Sequence, residues 1–416
     1  MPVARTVIAN ATIFDATGKP PFAGDLAIAG NRIVAVGPAG SVASQEGDCR
    51  IDAAGRFLMP GMVEGHGHMS FGDAASTDQI IAPSPEAHTL ITMQGAKTLL
   101  DAGFTSFYGA SEAKMRLAVA IRDAVNAGTI PGPRIRAGSL EITVTGSIGD
   151  ESREHSERVG ISMIVNGPEE MRRAVRIACR EGCDNIKLDV SGDPFYPSAP
   201  AHTTPMSFEE VKMAVDTARG FGRKVNAHAR SIDSVKYCVR AGVAGILHAE
   251  FHDEEMLDLL EEAKDRVFVA PSIGLFHTMI HEGEPWLLKG TAEAMGIPAL
   301  VEASIETHTA LRKRGIRHLI GGDYGLAWNR QGTNARDVQH FVDYYGYTPE
   351  GALTCATRNG GLAMRDEGDL GTIEPGKLAD LLLIDGDVLS DLSLLVDPAR
   401  MALIMKDGAL YKNMIA

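Results

Sequence analysis

The chain has 416 residues, with 40 basic against 54 acidic side chains and a formal net charge of −14. That balance argues against a nucleic-acid binder, which needs basic patches to displace counterions from phosphates. No stretch approaches the roughly 18 uninterrupted apolar residues of a membrane span. Residues 1–5 run into Thr6-Val7-Ile8-Ala9 with no apolar signal core, so the expected location is cytoplasmic. Five dispersed cysteines (Cys49, Cys179, Cys183, Cys238, Cys355) read as reduced packing residues, not a disulfide framework.

Taken in chain order, residues 6–14 and 25–37 alternate apolar and polar residues around a Gly30-Asn31 turn, which predicts antiparallel strands. Residues 379–385 and 401–411 have the same texture. Neither terminal piece is long enough to bury a core alone. The expectation is one small β-sandwich domain made from residues 1–56 and 370–416.

Residues 57–369 change to short apolar runs separated by helical patterns, the sign of βα units. Eight candidate strands follow: 57–65, 104–108, 134–140, 185–190, 224–229, 245–250, 266–271 and 318–322. Helices intervene, as at 171–180 and 208–221, the latter opened by a Ser207/Glu210 capping box. Val225, Ile246 and Val267 recur at a spacing of 21 residues. Eight such units fit an α/β fold, a distorted TIM (β/α)8 barrel, with insertions. No Gly-x-Gly-x-x-Gly follows the first strand, which weakens an open doubly wound sheet.

Polar residues interrupt these apolar strands at telling places. His66 and His68 end strand one, Lys187 lies in strand four, and His228 ends strand five. His248 ends strand six and Asp323 ends strand eight. All six fall toward the strand ends where barrel active sites are built. Histidines two apart on a strand share a side, so His66 and His68 can grip one cation. An unpaired buried lysine is costly. Burial is expected to lower the Lys187 pKa and expose a nucleophilic amine that carbon dioxide converts to a bridging carbamate. Nitrogen and oxygen donors without thiolate suit zinc, manganese or cobalt. Any single histidine of the 13 is commonly structural, but six such residues at matching strand ends are not a set of accidents.

The run Pro60-Gly61-Met62-Val63-Glu64-Gly65-His66-Gly67-His68 resembles the opening motif of the amidohydrolase superfamily. The run Gly371-Thr372-Ile373-Glu374-Pro375-Gly376-Lys377-Leu378-Ala379-Asp380-Leu381 is similar to that superfamily's return into its β-sandwich. The branch most resembled is the imidazolonepropionase-related metal hydrolases, which includes Xaa-Pro dipeptidases, ochratoxin-type amidases, and phenylurea and thiocarbamate hydrolases. The resemblance implies that His66, His68 and Asp323 hold a first divalent metal, that His228 and His248 hold a second, and that carboxylated Lys187 bridges them. It also suggests a homo-oligomer.

Lys187 argues against imidazolonepropionase itself and against deaminases, whose glutamate after the strand-five histidine is replaced here by Ala229-Arg230-Ser231. The substrate-facing loops are not dipeptidase-like, with Phe107-Tyr108-Gly109 after strand two and Gly192-Asp193 after strand four. The implied activity is hydrolysis of an amide, urea or carbamate C–N bond in a small hydrophobic or aromatic substrate. Metal-held hydroxide attacks, and Asp323 accepts the proton and returns it to the leaving nitrogen. An Xaa-Pro dipeptidase or N-acyl amino acid amidase is the alternative. A lactonase or phosphotriesterase on the same site is a further one, and a metal-free scaffold is a third class. Tyr108, Arg230, His252 and Tyr324 lie next to strand ends as candidate substrate contacts, with Arg230 suited to an anionic group.

Overall fold

The computed structural model describes residues 5–43 and 45–415. The N-terminal reading of residues 1–4 lies outside them. The chain forms an α/β barrel joined to a mixed eight-stranded sheet made from both chain ends.

In the terminal sheet, Arg5–Ile13 pairs with Phe22–Ala29 on one side. On its other side it pairs with Cys49–Asp52 and then Phe57–Pro60. Phe57–Pro60 in turn pairs with Leu381–Ile384, which carries Met401–Lys406 and Ala409–Asn413 beyond it. Leu381 and Leu383 bury into a cluster with Ile8, Ile13, Leu26 and Leu403. Leu382 and Ile384 face the other way, into the barrel's core with Phe57 and Met401. Burial on both faces explains the unbroken apolar run of this strand, since successive side chains alternate sides. The two terminal segments thus form one sheet with one face on the barrel and the other buried in its own cluster, and Ile33 N–H, from the edge strand, donates back to Lys377 O at 2.9 Å.

The predicted first barrel strand is divided. Phe57–Pro60 belongs to the terminal sheet and Met62–Gly67 to the barrel. Gly61 sits between them against the Thr105 side chain, where a Cβ would collide. Its N–H donates to Asp380 O at 2.9 Å. The predicted third strand also breaks, into Arg134–Arg136 and Gly138–Thr143, with the ladder register shifting opposite Asn185/Lys187.

Barrel strands follow in chain order as Met62–Gly67, Phe104–Gly109, the broken third strand, Asn185–Asp189, Lys224–Ala229, Gly245–His248 and Phe268–Ala270. The eighth, around His318–Asp323, forms no regular ladder but closes the ring through single backbone bonds. Leu319 N–H donates to Val269 O at 2.9 Å, and Gly65 N–H to Ile320 O at 3.0 Å. Helices Pro168–Arg180 and Phe208–Gly220 form where periodicity placed them, and Ser207 with Glu210 makes the expected capping box. All five cysteines are free. Among the described residues no helix is long and apolar enough to cross a membrane.

Candidate metal centre

The strand ends bring four imidazoles, one lysine and one carboxylate together. Ring centroids of His66 and His68 lie 5.5 Å apart, those of His66 and His248 5.0 Å, and those of His228 and His248 4.4 Å. Asp323 Oδ1 is 2.8 Å from His68 Nε2 and 3.5 Å from His66 Nε2. Ligand atoms of His66, His248 and Asp323 all fall within 4.8 Å of one another, a candidate metal group. This trio cuts across the pairing implied by resemblance, which had grouped His66 and Asp323 with His68.

Three of the four imidazoles are aimed by a second partner. His66 Nδ1 meets Ser272 Oγ at 2.6 Å, and His68 Nδ1 meets Ser111 O at 2.9 Å. His228 Nε2 meets Gly192 O at 3.0 Å. His248 Nδ1 is buried with no hydrogen-bond partner among the described residues, 4.0 Å from Glu250 Oε1. Such outer contacts fix ring orientation at metal sites. Burial pushes His66 down to about 3, and burial with Arg230 holds His228 and His248 well below the usual histidine range. These three rings are therefore neutral at pH 7, the form that binds a cation. Asp323 is depressed despite burial, because His66, His68 and Lys187 favour its charge.

Backbone strain gathers here. His248, Ala249, Ser272 and Asp323 all have φ between 61° and 82°. Non-glycine residues pay for this left-handed conformation and adopt it mainly where the surroundings impose it, often at functional sites.

Lys187 differs from expectation in its charge. It is buried, yet its Nζ lies 3.4 Å from Asp189 and 3.7 Å from Glu141. Burial alone would lower its pKa, but Asp189, Glu141 and Asp323 outweigh burial and raise it. Without metal the amine is an ammonium, not the free nucleophile that burial alone predicts.

The four candidate substrate contacts are placed as follows. Arg230 is 1% exposed, with Nε 2.9 Å from Asp193, Nη1 on Glu250, and the Phe276 ring 4.9 Å from its guanidinium carbon. Two carboxylates occupy the fork that had been expected to take a substrate anion. Tyr324 is fully buried and donates its hydroxyl to Asp337 at 3.0 Å. Tyr108 packs in the barrel wall with Val63, Leu247 and Phe268. His252 is half-buried and bonds Thr307 Oγ1 through Nδ1 at 2.7 Å. None of these four joins the imidazole cluster.

Several residues of the site were missed. Asp189 and Glu250 stand two positions beyond Lys187 and His248, and period-two geometry could have placed them on the same interior face. Ser272, Ser111 and the Gly192 carbonyl act from loops with no periodic signal. Glu64, fully buried, accepts His66 N–H at 2.8 Å and Asn334 Nδ2 at 2.7 Å. Burial and Asp337 push it up to about 8.

A family model described as "Amidohydrolase family" matches residues 57–411. The chain belongs to the amidohydrolase family. It is 26% identical over 380 residues to ochratoxinase from Aspergillus niger, covering 86% of this chain and 76% of that protein. The crystal structure of A. niger ochratoxinase superposes with a TM-score of 0.85 at 24% identity, over 99% of this chain and 96% of that one. A Xaa-Pro dipeptidase with bound methionine superposes at 0.85 and 26%, over 99% and 100%. Phenylurea hydrolase B shares the fold at 0.77 and 21%, over 98% and 96%. The protein is a hydrolase of C–N bonds built on the family's TIM barrel, and the family generally uses a divalent metal site.

Proposed function

We propose that the protein is a divalent-metal hydrolase cleaving an amide, urea or carbamate C–N bond in a small hydrophobic or aromatic substrate. The observation that carries this reading is the convergence of His66, His248 and Asp323 within 4.8 Å at the barrel mouth, with His68, His228 and Lys187 around them.

The residues fit a metal. Three rings are held neutral, His248 Nδ1 lacks a hydrogen-bond partner among the described residues, and the donors are all nitrogen or oxygen. That set suits zinc, with manganese or cobalt as substitutes. His66, His68 and Asp323 would hold one ion and His228 and His248 a second, with Lys187 as a carbamate between them. Such ions would polarise the scissile carbonyl and bring water's pKa near neutrality.

The chain's own residues do the rest. Asp323 keeps its carboxylate ionised and is the most exposed of the cluster, at 17% of its side chain, so it can meet a water molecule at the mouth. Its free oxygen accepts the proton of the water that adds to the carbonyl carbon. It then delivers that proton to the nitrogen as the C–N bond breaks. Ser272 and Ser111 keep His66 and His68 in orientation throughout. The test is a panel of dipeptides, N-acyl amino acids, anilides, phenylureas, carbamates, lactones and phosphotriesters on zinc-loaded protein supplied with bicarbonate. Turnover confined to lactones or phosphotriesters would contradict the C–N reading.

A further inference from the structure

A cavity of about 420 Å³ lies among the loops that follow barrel strands four, six and seven. Ligand pockets for small organic molecules span this size and are mostly apolar with few polar groups. Pro194, Pro197, Phe251, Met295 and Leu300 line it, and Asp193 stands at its inner edge. Asp193 also ties the cavity to the cluster, since its Oδ2 is 3.6 Å from His228 Nε2.

The loop bearing Asp193 is locked. Gly192 N–H donates to Thr203 O at 3.0 Å and Asp193 N–H to Ala199 O at 2.8 Å, while a Cβ on Gly192 would collide with the Ala199 carbonyl. Asp193 therefore has a fixed position from which its carboxylate engages Arg230. With Glu250 on the guanidinium's other side, the arginine stays buried and paired. Arg230 is not among the residues lining the cavity, which include no lysine or arginine and carry one basic side chain, the exposed His202.

We propose that this cavity receives an uncharged aryl or alicyclic group of the substrate, and that Asp193 sets the preference by holding Arg230 away from it. The inference rests on the barrel mouth being the hydrolytic site. Its physical basis is that a carboxylate entering the cavity would meet no lysine or arginine, only the solvent-exposed His202 imidazole, and would approach Asp193. Removing the Asp193 charge would leave Arg230 with one partner and a donor edge available to an anion.

Acetanilide and 4-acetamidobenzoate test this, because they share one amide and differ by a ring carboxylate remote from it. Equilibrium dialysis and kcat/KM on the metal-loaded full chain should favour acetanilide at least about tenfold. Asp193→Asn should erase or reverse that ratio. Leu300→Trp, which fills the cavity, should weaken binding of both compounds at unchanged metal content. Equal or tighter binding of 4-acetamidobenzoate by the unmodified protein would overturn the proposal. So would failure of both compounds to bind, or an unchanged ratio in Asp193→Asn. The predicted binding pattern without cleavage would support the cavity assignment while contradicting the C–N hydrolase reading.

Discussion

His68 Nε2 lies 2.8 Å from Asp323 Oδ1, joining the end of the first barrel strand to the end of the eighth. The contact spans the seam at which the ring closes, where regular pairing has given way to single bonds such as Asp323 N–H to His66 O at 3.1 Å. Ligand geometry and barrel closure therefore depend on the same few atoms. Asp323→Asn keeps the side chain's size but removes the charge and the proton-accepting capacity. Turnover should fall by about 10²–10⁴-fold, the range of lost general acid–base catalysis. Circular dichroism and metal content measured beside kcat separate this from unfolding.

Ser272 sets the orientation of His66 through the 2.6 Å contact at Nδ1. Ser272→Ala should weaken metal affinity by about 10–100-fold, as losing an outer partner of a ligating histidine does. Competition with a coloured chelator measures it. An unchanged affinity would mean that Ser272 does not support a ligand.

Lys187 is raised above the ordinary lysine range by Asp189, Glu141 and Asp323 despite its burial. A raised value means that less free amine is present at neutral pH, so carbamate formation should require the metals. With ¹³C-bicarbonate, the carbonyl-region NMR spectrum should show a carbamate carbon only after metal addition. A signal from metal-free protein would contradict the ammonium assignment.

Arg134 and Asp380 pin the terminal sheet to the barrel. Arg134 Nη2 lies 2.6 Å from Asp407 and 3.4 Å from the buried Asp380. Arg134→Ala removes Asp380's ion-pair partner and leaves the buried carboxylate only the Asp407 N–H and the Lys406 charge, so the cost should approach but not exceed the roughly 3–5 kcal/mol of a broken buried pair. The melting temperature should drop by several degrees or more while metal binding at the far end of the barrel persists.

The barrel and the six cluster residues were legible because strand ends carry a period-two pattern, and histidines there are chemically conspicuous. The split at Gly61 was harder to read, since the apolar run from Phe57 to Val63 masks the Pro60-Gly61 breaker within it, and the close approach to Thr105 that requires a glycine there is a tertiary contact. The charge of Lys187 was misjudged for a similar reason. Burial can be inferred from a strand pattern, but Glu141 is brought opposite Lys187 only by pairing across strands, while Asp189, two residues along the same strand, was within reach of the period-two rule. Arg230 was read as an anion receptor because its partners, Asp193 and Glu250, sit on two other strand-end loops, and no local motif announces such a network.

Metal dependence is tested most directly by stripping the protein with a chelator, measuring metal per chain, and assaying anilide and phenylurea hydrolysis before and after adding zinc with bicarbonate. The account predicts no turnover in the stripped protein, two zinc ions bound per chain on reconstitution, and restored cleavage of a C–N bond. Full activity in the stripped protein, or no zinc bound by folded protein, would contradict it.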